Sequence, residues 1–194
     1  NDVQVVRTGC HGLCAGAVTV RIDPPGILYC NVTPEDAAEI VATTVVGKRV
    51  IGRLCVGEGR RRASRRSRVP FFRSQNRLVL RHCGVVDPQS LSDAVAHGAY
   101  GSLAKVLAGY TPERLIAEVT AAGLRGRGGA GFPTGRKWQL ARAAAGQRKY
   151  VVCNADEGDP GAFMDRSIME GDPFLLIEGM TIAGLAVGAS EGWI

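Results

Sequence analysis

The sequence lacks the features that direct a chain out of the cell or across a membrane. No basic segment followed by a short apolar run, the pattern of a secretory signal, opens the chain. The longest apolar stretch, residues 174–189, contains Glu178 and is shorter than the roughly 20 residues of a membrane span. We therefore expect a buried helix there. Because Asn1 is not an initiator Met and Ile194 follows an apolar run without a capping signal, we expect a fragment of a longer protein.

The six cysteines do not form the pattern of a disulfide framework, and without a secretory signal we expect reduced thiols. Only Cys10 and Cys14 are spaced like two ligands of one metal ion or cluster, and two ligands make an incomplete site. Zinc held together with His11 is an alternative, although we expect His11 to be exposed. The remaining cysteines lie singly in apolar or linker contexts and are expected to be small buried side chains: Cys30, Cys55, Cys83 and Cys153.

The net charge of +6 does not by itself predict a nucleic-acid-binding protein. Much of it lies in one arginine-rich run, residues 60–68, which has no aromatic side chains between the arginines. We interpret the run as a solvated linker, with an acidic partner or nucleic acid as the less favoured alternative. The linker, residues 55–70, would separate a small α/β domain in residues 1–54 from a larger α/β domain in residues 71–194.

Alternating and helical patterns give the expected elements of both domains. Strands are predicted at residues 3–6, 17–22, 27–32, 77–82 and 150–153, the last of them buried. Capping and proline signals predict helices at residues 33–44, 87–97, 102–108, 111–122 and 136–145, and a final helix that begins at Asp172-Pro173.

A glycine-rich loop, residues 126–131, lies between two of the predicted helices. It satisfies G-x-G-x-x-G, but a dinucleotide fingerprint follows a strand, and this loop follows a helix. Its glycines would still let the backbone approach a flat or phosphorylated ligand, with exposed N–H groups facing an anion. Thr134 is expected to cap the following helix, and Phe132 offers a face for stacking. Cations surround the loop at Arg125, Arg127, Arg136 and Lys137.

An acidic loop, residues 154–161, follows the predicted strand at residues 150–153. Ligands of α/β folds lie at such carboxyl ends of strands. Its carboxylates would repel phosphate, so we expect them to face ribose hydroxyls, a nicotinamide amide or a flavin edge. A divalent metal ion is the alternative, since carboxylate oxygens suit Mg²⁺ or Ca²⁺, but no EF-hand spacing is present.

Together the two loops resemble the signatures of a known family. Residues 123–138 read Gly-Leu-Arg-Gly-Arg-Gly-Gly-Ala-Gly-Phe-Pro-Thr-Gly-Arg-Lys-Trp, and residues 154–166 read Asn-Ala-Asp-Glu-Gly-Asp-Pro-Gly-Ala-Phe-Met-Asp-Arg. Both motifs, at this separation, are similar to those of the NADH-binding flavoprotein of respiratory complex I and of related hydrogenase and formate dehydrogenase diaphorases. The resemblance covers about residues 70–194. It implies a Rossmann-like α/β domain that binds FMN and NAD(H), and a 4Fe-4S cluster whose ligands lie beyond Ile194.

The resemblance also implies roles for individual residues. Lys137 matches a lysine at the flavin phosphate, Phe132 an aromatic that stacks on the adenine, and Glu157 a glutamate beside the nicotinamide and the flavin. We take Glu157 as the catalytic residue and expect Glu157→Gln to impair hydride transfer more than folding. The other matches are the nucleotide loop and the acidic loop: Gly126, Arg127, Gly128, Gly129, Ala130, Gly131, Asn154, Asp156 and Asp159, the last standing where the family often has Glu.

Residues 1–54 resemble the second half of the thioredoxin-like 2Fe-2S domain that accompanies such flavoproteins. Cys10 and Cys14 match the last two of its four cluster ligands, so this sequence would supply half of the ligands. The implied activity is hydride transfer from NADH to FMN and onward electron transfer to iron–sulfur subunits of a larger complex, without nucleic acid. We expect a cytoplasmic protein, in a complex that could lie on the inner face of the membrane. The alternative is a non-catalytic electron-transfer or assembly module without flavin.

Overall fold

The computed structural model describes residues 3–57 and 62–194. The chain divides into two compact units. One, here called the N-terminal unit, is residues 10–84, and the other, here called the C-terminal unit, joins the described residues up to Gly9 with residues 85–194. The predicted domain boundaries at residues 54 and 70 stay predictions.

The N-terminal unit is built on an antiparallel hairpin. Strands β1 (Val20–Ile22) and β2 (Ile27–Tyr29) pair with Val20 opposite Tyr29 and Ile22 opposite Ile27, across the predicted turn at residues 23–26. Helix α1 (Asp36–Glu39) continues as a π-helix (Ile40–Val46) and ends before Gly47, two residues beyond the predicted end at residue 44. The remaining regular elements are short, namely the 3₁₀ turns Cys14–Gly16, Gly52–Leu54 and Arg66–Arg68, and helix α2 (Pro70–Arg73).

Tyr29 organises the core of this unit. Its side chain is fully buried, and its hydroxyl lies 2.6 Å from Thr44 Oγ1 and accepts the Ile51 N–H at 2.9 Å. These bonds join the hairpin, the helix and the segment after it, and each satisfies a buried polar group that would otherwise destabilise the fold. The apolar part of this core includes Ile27, Ile40, Ile51, Leu54 and Cys55.

Thr33, the first residue of the helix predicted at residues 33–44, was expected to cap that helix, and this is wrong. The Thr33 side chain does not cap it; instead Asp36 Oδ2 accepts the Thr33 N–H at 2.8 Å and the Thr33 hydroxyl at 3.3 Å. The Asp36 carboxylate therefore fixes the residue that leads into the helix. A negative charge in the first turn is also favourable because it interacts with the positive end of the helix dipole.

Three expectations about the N-terminal half are wrong. Residues 3–6 and 77–82 form no strand, because the described chain offers neither a neighbouring strand with which to form hydrogen bonds. The described part of the arginine-rich segment has exposed side chains at Arg62, Arg65 and Arg68, but its backbone is joined to the fold and so it is not a free linker. The Leu28 N–H donates to Ser64 O at 2.9 Å, the Ala63 N–H donates to Val56 O at 2.8 Å, and Val69 is buried. Residues 60 and 61 of the run lie outside the described residues.

The C-terminal unit is mainly helical. Its helices are α3 (Leu91–Ala96), α4 (Gly101–Gly109), α5 (Pro112–Ala121), α6 (Thr134–Ala143), α7 (Met164–Gly171) and α8 (Pro173–Val187). The predicted cap of α5 is confirmed, since Thr111 Oγ1 accepts the Arg114 N–H at 3.2 Å. The start of α8 is confirmed as well, with the Asp172 carboxylate accepting the Leu175 N–H at 3.1 Å. Helix α7 was not predicted.

Helix α8 is the central element of this unit and contacts α4, α5, α6 and α7. Its Ala186 and Val187 pack with Leu115 and Ile116 of α5 in the main apolar cluster. Glu178, also on α8, is 5% exposed, and its Oε1 accepts the Ser102 and Leu103 N–H groups at 2.9 Å each. The charge that interrupts the apolar run is therefore buried because it caps the start of α4.

Two parallel strands complete the unit. Strand β3 (Tyr150–Val152) pairs with β4 (Glu191–Trp193), and α7 and α8 form the connection between them. This β-α-β arrangement confirms the α/β class. Strand β3 was expected to be buried, but Val152 is 70% exposed, because β4 is its only partner in the described chain and neither strand is covered on both faces. No helix of the described residues combines the length and apolarity needed to cross a bilayer.

Candidate functional site

The glycine loop forms a narrow hairpin between α5 and α6. The Gly126 N–H donates to Phe132 O at 2.9 Å, and the Thr134 N–H donates to Leu124 O at 2.9 Å. Gly131 has φ +64, a conformation that L side chains rarely adopt. The hydrogen bonds fix the two stems of the loop and leave its tip to project away from them.

Gly128, near the tip, is not required to be glycine by its own surroundings. Its φ is not positive, and a Cβ built there would meet no atom within 4 Å. Gly109 on α4 shares both properties, so they show that the backbone at Gly128 is accessible and do not by themselves identify a ligand. An external group could approach this backbone closely, because glycine permits contacts that a Cβ prevents.

The two arginines of the loop mostly support its backbone. Arg125 Nη1 donates to Gly131 O at 3.0 Å, and Arg127 Nη1 lies 3.2 Å from Arg125 O and 3.3 Å from Gly126 O. Each guanidinium has five N–H donors, so both retain donors for a ligand. Arg127 is exposed, so it can orient an anion but contributes little to stability.

Phe132 and Lys137 are both available to a ligand. The Phe132 ring is 51% exposed, and Lys137, in the first turn of α6, is exposed and forms no hydrogen bond or ion pair within the described chain. The predicted cap of α6 is wrong. Thr134 is the first residue of the helix rather than its cap, Pro133 precedes it, and no side chain caps the helix.

A close helix contact that sequence reasoning missed positions the loop. Gly135 is buried against α5, where a Cβ would lie 2.0 Å from Thr120 Oγ1 and 2.9 Å from Thr120 Cα. Only glycine allows this approach of α6 to α5. The helix was predicted to begin at residue 136, so Gly135 was assigned to the loop and its packing role was not recognised.

The acidic loop is folded by its own side chains. Asn154 Oδ1 accepts the Asp156 N–H at 2.9 Å, a local turn typical of asparagine. Glu157 reaches the start of α7, where Oε1 accepts the Met164 N–H at 2.6 Å and the Asp165 N–H at 3.0 Å, and Oε2 accepts the Arg166 N–H at 3.2 Å. Glu157 therefore caps α7.

These contacts change the acidity of Glu157. Partial loss of solvent raises its pKa, but the backbone N–H groups of residues 165, 166 and 164 together outweigh this and leave the pKa below its ordinary value. The expectation that this loop carboxylate contributes little to folding is not supported, because it satisfies three N–H groups that no intrahelical carbonyl can reach. Its role beside a nicotinamide stays a prediction.

The structure relates the two loops through α8. The glycine loop leads into α6 and the acidic loop follows β3, and both elements pack on α8. Among the described residues, no hydrogen bond or ion pair joins one loop to the other. Asp156 and Asp159 are exposed at the surface of the acidic loop.

The cysteine pair of the N-terminal unit is exposed. Cys10 Sγ accepts the Gly12 N–H at 3.2 Å, and the Cys14 thiol donates to Gly12 O at 3.9 Å. In the described part of the chain, no group of three or more His, Cys, Asp or Glu side chains is placed to hold a metal ion. That the pair supplies half of the ligands of a cluster stays a prediction. Cys30, Cys55 and Cys83 are buried as expected, and burial raises the pKa of Cys30 and Cys55.

His11 was expected to be exposed, and this is wrong. It is 6% exposed, and its ring packs edge-on to Phe72 at 6.2 Å and against Gly84, where a Cβ would lie 2.0 Å from the ring. Burial, with the charges of Arg66, Arg21 and Arg77, lowers its pKa to about 4. The ring is therefore neutral at pH 7. No described residue hydrogen-bonds its Nδ1.

Comparison with known proteins bears on the C-terminal unit. Residues 119–194, which contain both loops, match the family model described as the Nuo51 FMN-binding domain. The chain is 51% identical over 122 residues to the NADP-reducing hydrogenase subunit HndC of Solidesulfovibrio fructosivorans, covering 63% of this chain and 24% of that protein. It is 50% identical over 117 residues to the F 2 subunit of NADH-quinone oxidoreductase of Rhizobium meliloti, covering 60% and 28%.

A third relative is the NAD-reducing hydrogenase HoxS subunit alpha of Cupriavidus necator, 51% identical over 81 residues that cover 42% of this chain and 14% of that one. A solved NAD⁺-reducing [NiFe]-hydrogenase is similar over 95% of this chain and 28% of its own chain, at 27% identity and with a TM-score of 0.45. The chain spans about a quarter of the length of the first two relatives. The resemblance that the two loop motifs predict is confirmed.

Proposed function

We propose that this chain is part of an NADH-oxidising flavoprotein, whose C-terminal unit contributes to a site for FMN and NAD(H). The observation that carries the proposal is the match of residues 119–194, which contain both loops, to an FMN-binding family. The unobstructed backbone at Gly128 is compatible with close approach of a ligand. The named relatives are subunits of NADH-quinone oxidoreductase and of NAD- or NADP-reducing hydrogenases, which supports the same chemistry here.

The residues present fit FMN. The glycine loop offers an unobstructed backbone, Lys137 a free ammonium for a phosphate, and Phe132 an exposed ring for a planar group. When bound, FMN accepts a hydride and passes on electrons one at a time, so the protein supplies binding and orientation. The remaining predicted contacts belong to the same proposal, namely those of Gly126, Arg127, Gly129, Ala130, Gly131, Asn154, Asp156 and Asp159.

Glu157 has a more specific role in this proposal. The three backbone N–H groups of α7 that donate to the Glu157 carboxylate keep it ionised at neutral pH and fix its position relative to α7. A fixed negative charge beside a nicotinamide stabilises the positive charge that develops on the ring as hydride leaves. Glu157 would thus act by orientation and charge, and it need not exchange a proton.

For the N-terminal unit we propose the second half of a thioredoxin-like 2Fe-2S domain. The hairpin β1–β2, helix α1 and the exposed pair Cys10 and Cys14 support this proposal. The protein would then deliver electrons to iron–sulfur subunits of a larger cytoplasmic complex, with the remaining cluster ligands contributed from outside residues 1–194. The finer fold assignment of the C-terminal unit, Rossmann-like, is part of this proposal.

A flavin spectrum tests the proposed activity. The purified full-length protein is expected to carry a flavin whose visible absorbance is bleached by NADH under anaerobic conditions. A flavin-free protein that does not oxidise NADH after incubation with FMN would contradict the proposal. That outcome would favour the alternative, a scaffold for electron transfer or assembly without flavin.

A further inference from the structure

A second candidate site lies in the N-terminal unit, independent of the proposed flavin site. A cavity of about 470 Å³ opens between the hairpin turn, the segment before α2 and the chain that follows α2. Its volume is within the range of small-molecule sites. Arginine dominates the lining, with five side chains from three separate parts of the chain: Arg21, Arg65, Arg66, Arg77 and Arg81.

Two of these guanidinium groups share one aromatic ring. The Arg66 Cζ atom lies 4.8 Å from the centroid of Phe72, and the Arg77 Cζ atom lies 5.1 Å from it. The ring attracts each cation, but two like charges on one ring also repel each other. Burial, and then the charges of Arg77 and Arg21, lower the pKa of Arg66, which nevertheless stays protonated at neutral pH.

The cavity has little negative charge of its own. Arg21 is paired with Asp23 at 2.8 Å, but no described carboxylate lies within ion-pair distance of Arg65, Arg66, Arg77 or Arg81. The Arg66 guanidinium forms no hydrogen bond or ion pair within the described chain. Arg77 donates to Gln75 Oε1 at 2.9 Å and to the His11 carbonyl oxygen at 2.5 Å and has further N–H groups beyond these two.

We propose that this cavity binds the phosphate group of a small molecule. Phosphate oxygens match the planar fork of a guanidinium, and one phosphate can accept from Arg66 and Arg77 together while neutralising their repulsion. A nucleic acid fits less well, because binding a single strand uses exposed aromatic faces for base stacking, and Phe72 is 8% exposed and covered by the two arginines. A phosphate-binding role would also explain why several arginines line one cavity of this unit.

Calorimetric titration of the whole chain with inorganic pyrophosphate tests the proposal. Arg66→Gln and Arg77→Gln are each expected to weaken binding by about tenfold or more, since each removes a charge-assisted donor pair. Arg66→Lys, which keeps the charge but loses the fork, is expected to weaken it less. The matched control is Arg73→Gln on α2, which removes an exposed arginine that does not line the cavity and should change affinity by less than about twofold.

Folding of each variant is checked by circular dichroism and thermal unfolding. Removal of Arg66 relieves repulsion, so its variant should fold, and the Arg77→Gln variant provides a second test. If Arg66→Gln and Arg77→Gln bind pyrophosphate as tightly as the parent chain does, pyrophosphate binds elsewhere, for example at the glycine loop. That result would overturn the proposal. The proposal would also be overturned if Arg73→Gln weakened binding as much as the two cavity variants do. It would equally be overturned if the chain bound no pyrophosphate but bound an oligonucleotide or polyglutamate with an affinity that rises with polymer length.

Discussion

The glycine loop and the acidic loop of the C-terminal unit differ in how far the chain itself uses their side chains. In the acidic loop, Asn154 and Glu157 are bonded to backbone N–H groups nearby. In the glycine loop, Gly128 has no neighbouring atoms at its Cβ position, and the side chains of Phe132 and Lys137 form no comparable hydrogen bonds within the described chain. Side chains that satisfy the fold are expected to affect stability when replaced, whereas those without such contacts are expected to affect ligand binding.

The largest stability effect is expected where α6 meets α5, just after the glycine loop. Gly135→Ala would place a Cβ 2.9 Å from Thr120 Cα, so the helices must move apart. We expect a loss of about 2 kcal/mol in the free energy of unfolding, typical of overpacking. Denaturant unfolding measures it. The control Gly109→Ala, on α4 with no atom near the new Cβ, should be neutral or stabilising; equal losses in both variants would contradict the packing role of Gly135.

A smaller stability effect is expected in the acidic loop. Glu157→Ala leaves the first N–H groups of α7 without their acceptor, so the melting temperature should fall. Glu157→Gln keeps one oxygen acceptor and should lose less. The matched control is Asp159→Asn in the same loop, an exposed carboxylate that caps no helix and should leave the melting temperature unchanged. A melting temperature for Glu157→Ala equal to that of the control would refute the cap.

The same cap predicts a dependence of stability on pH. The pKa of Glu157 is lower in the folded state than its ordinary value of 4.5, so its contribution is present above that value and is lost as pH falls through the folded pKa. Thermal unfolding followed below pH 5 should therefore show a steeper loss in the parent chain than in Glu157→Gln. Parallel curves would mean that the carboxylate is not held by α7.

In the glycine loop, Lys137→Gln should leave stability unchanged, because the ammonium has no partner in the described chain. Loss of one charged donor to the flavin phosphate is expected to weaken FMN binding by about tenfold. Lys105→Gln, an exposed lysine on α4, is the matched control. Fluorescence titration with FMN measures both, and equal affinities would remove Lys137 from the proposed site.

Local signals in the sequence predicted the helices better than the strands. Thr111 and Asp172 cap the starts of α5 and α8 through hydrogen bonds within the first turn. These bonds depend on residues that are near in sequence, so a local pattern predicts them. Strand β4, residues 191–193, was missed because its pairing with β3 depends on contacts across α7 and α8. The strand predicted at residues 77–82 does not form, because an apolar run becomes a strand only where a neighbouring strand pairs with it.

The candidate site was predictable in composition but not in its internal contacts. The two motifs identified the loops, and the match over residues 119–194 confirms the resemblance. The cap that Glu157 forms could not be predicted, because helix α7 itself was not recognised. Arg66 was taken as part of a solvated linker, since charge runs usually are, and only the fold shows that Arg66 and Arg77 meet at the ring of Phe72.

The central claim, that FMN approaches the backbone of the glycine loop at Gly128, is tested most directly by a matched pair of variants. FMN affinity is measured by fluorescence quenching for the parent chain, Gly128→Ala and Gly109→Ala, both glycines having an unobstructed Cβ position. We predict that Gly128→Ala weakens FMN binding by about tenfold or more at unchanged stability, while Gly109→Ala binds as the parent does. Equal affinity in all three proteins would contradict the account.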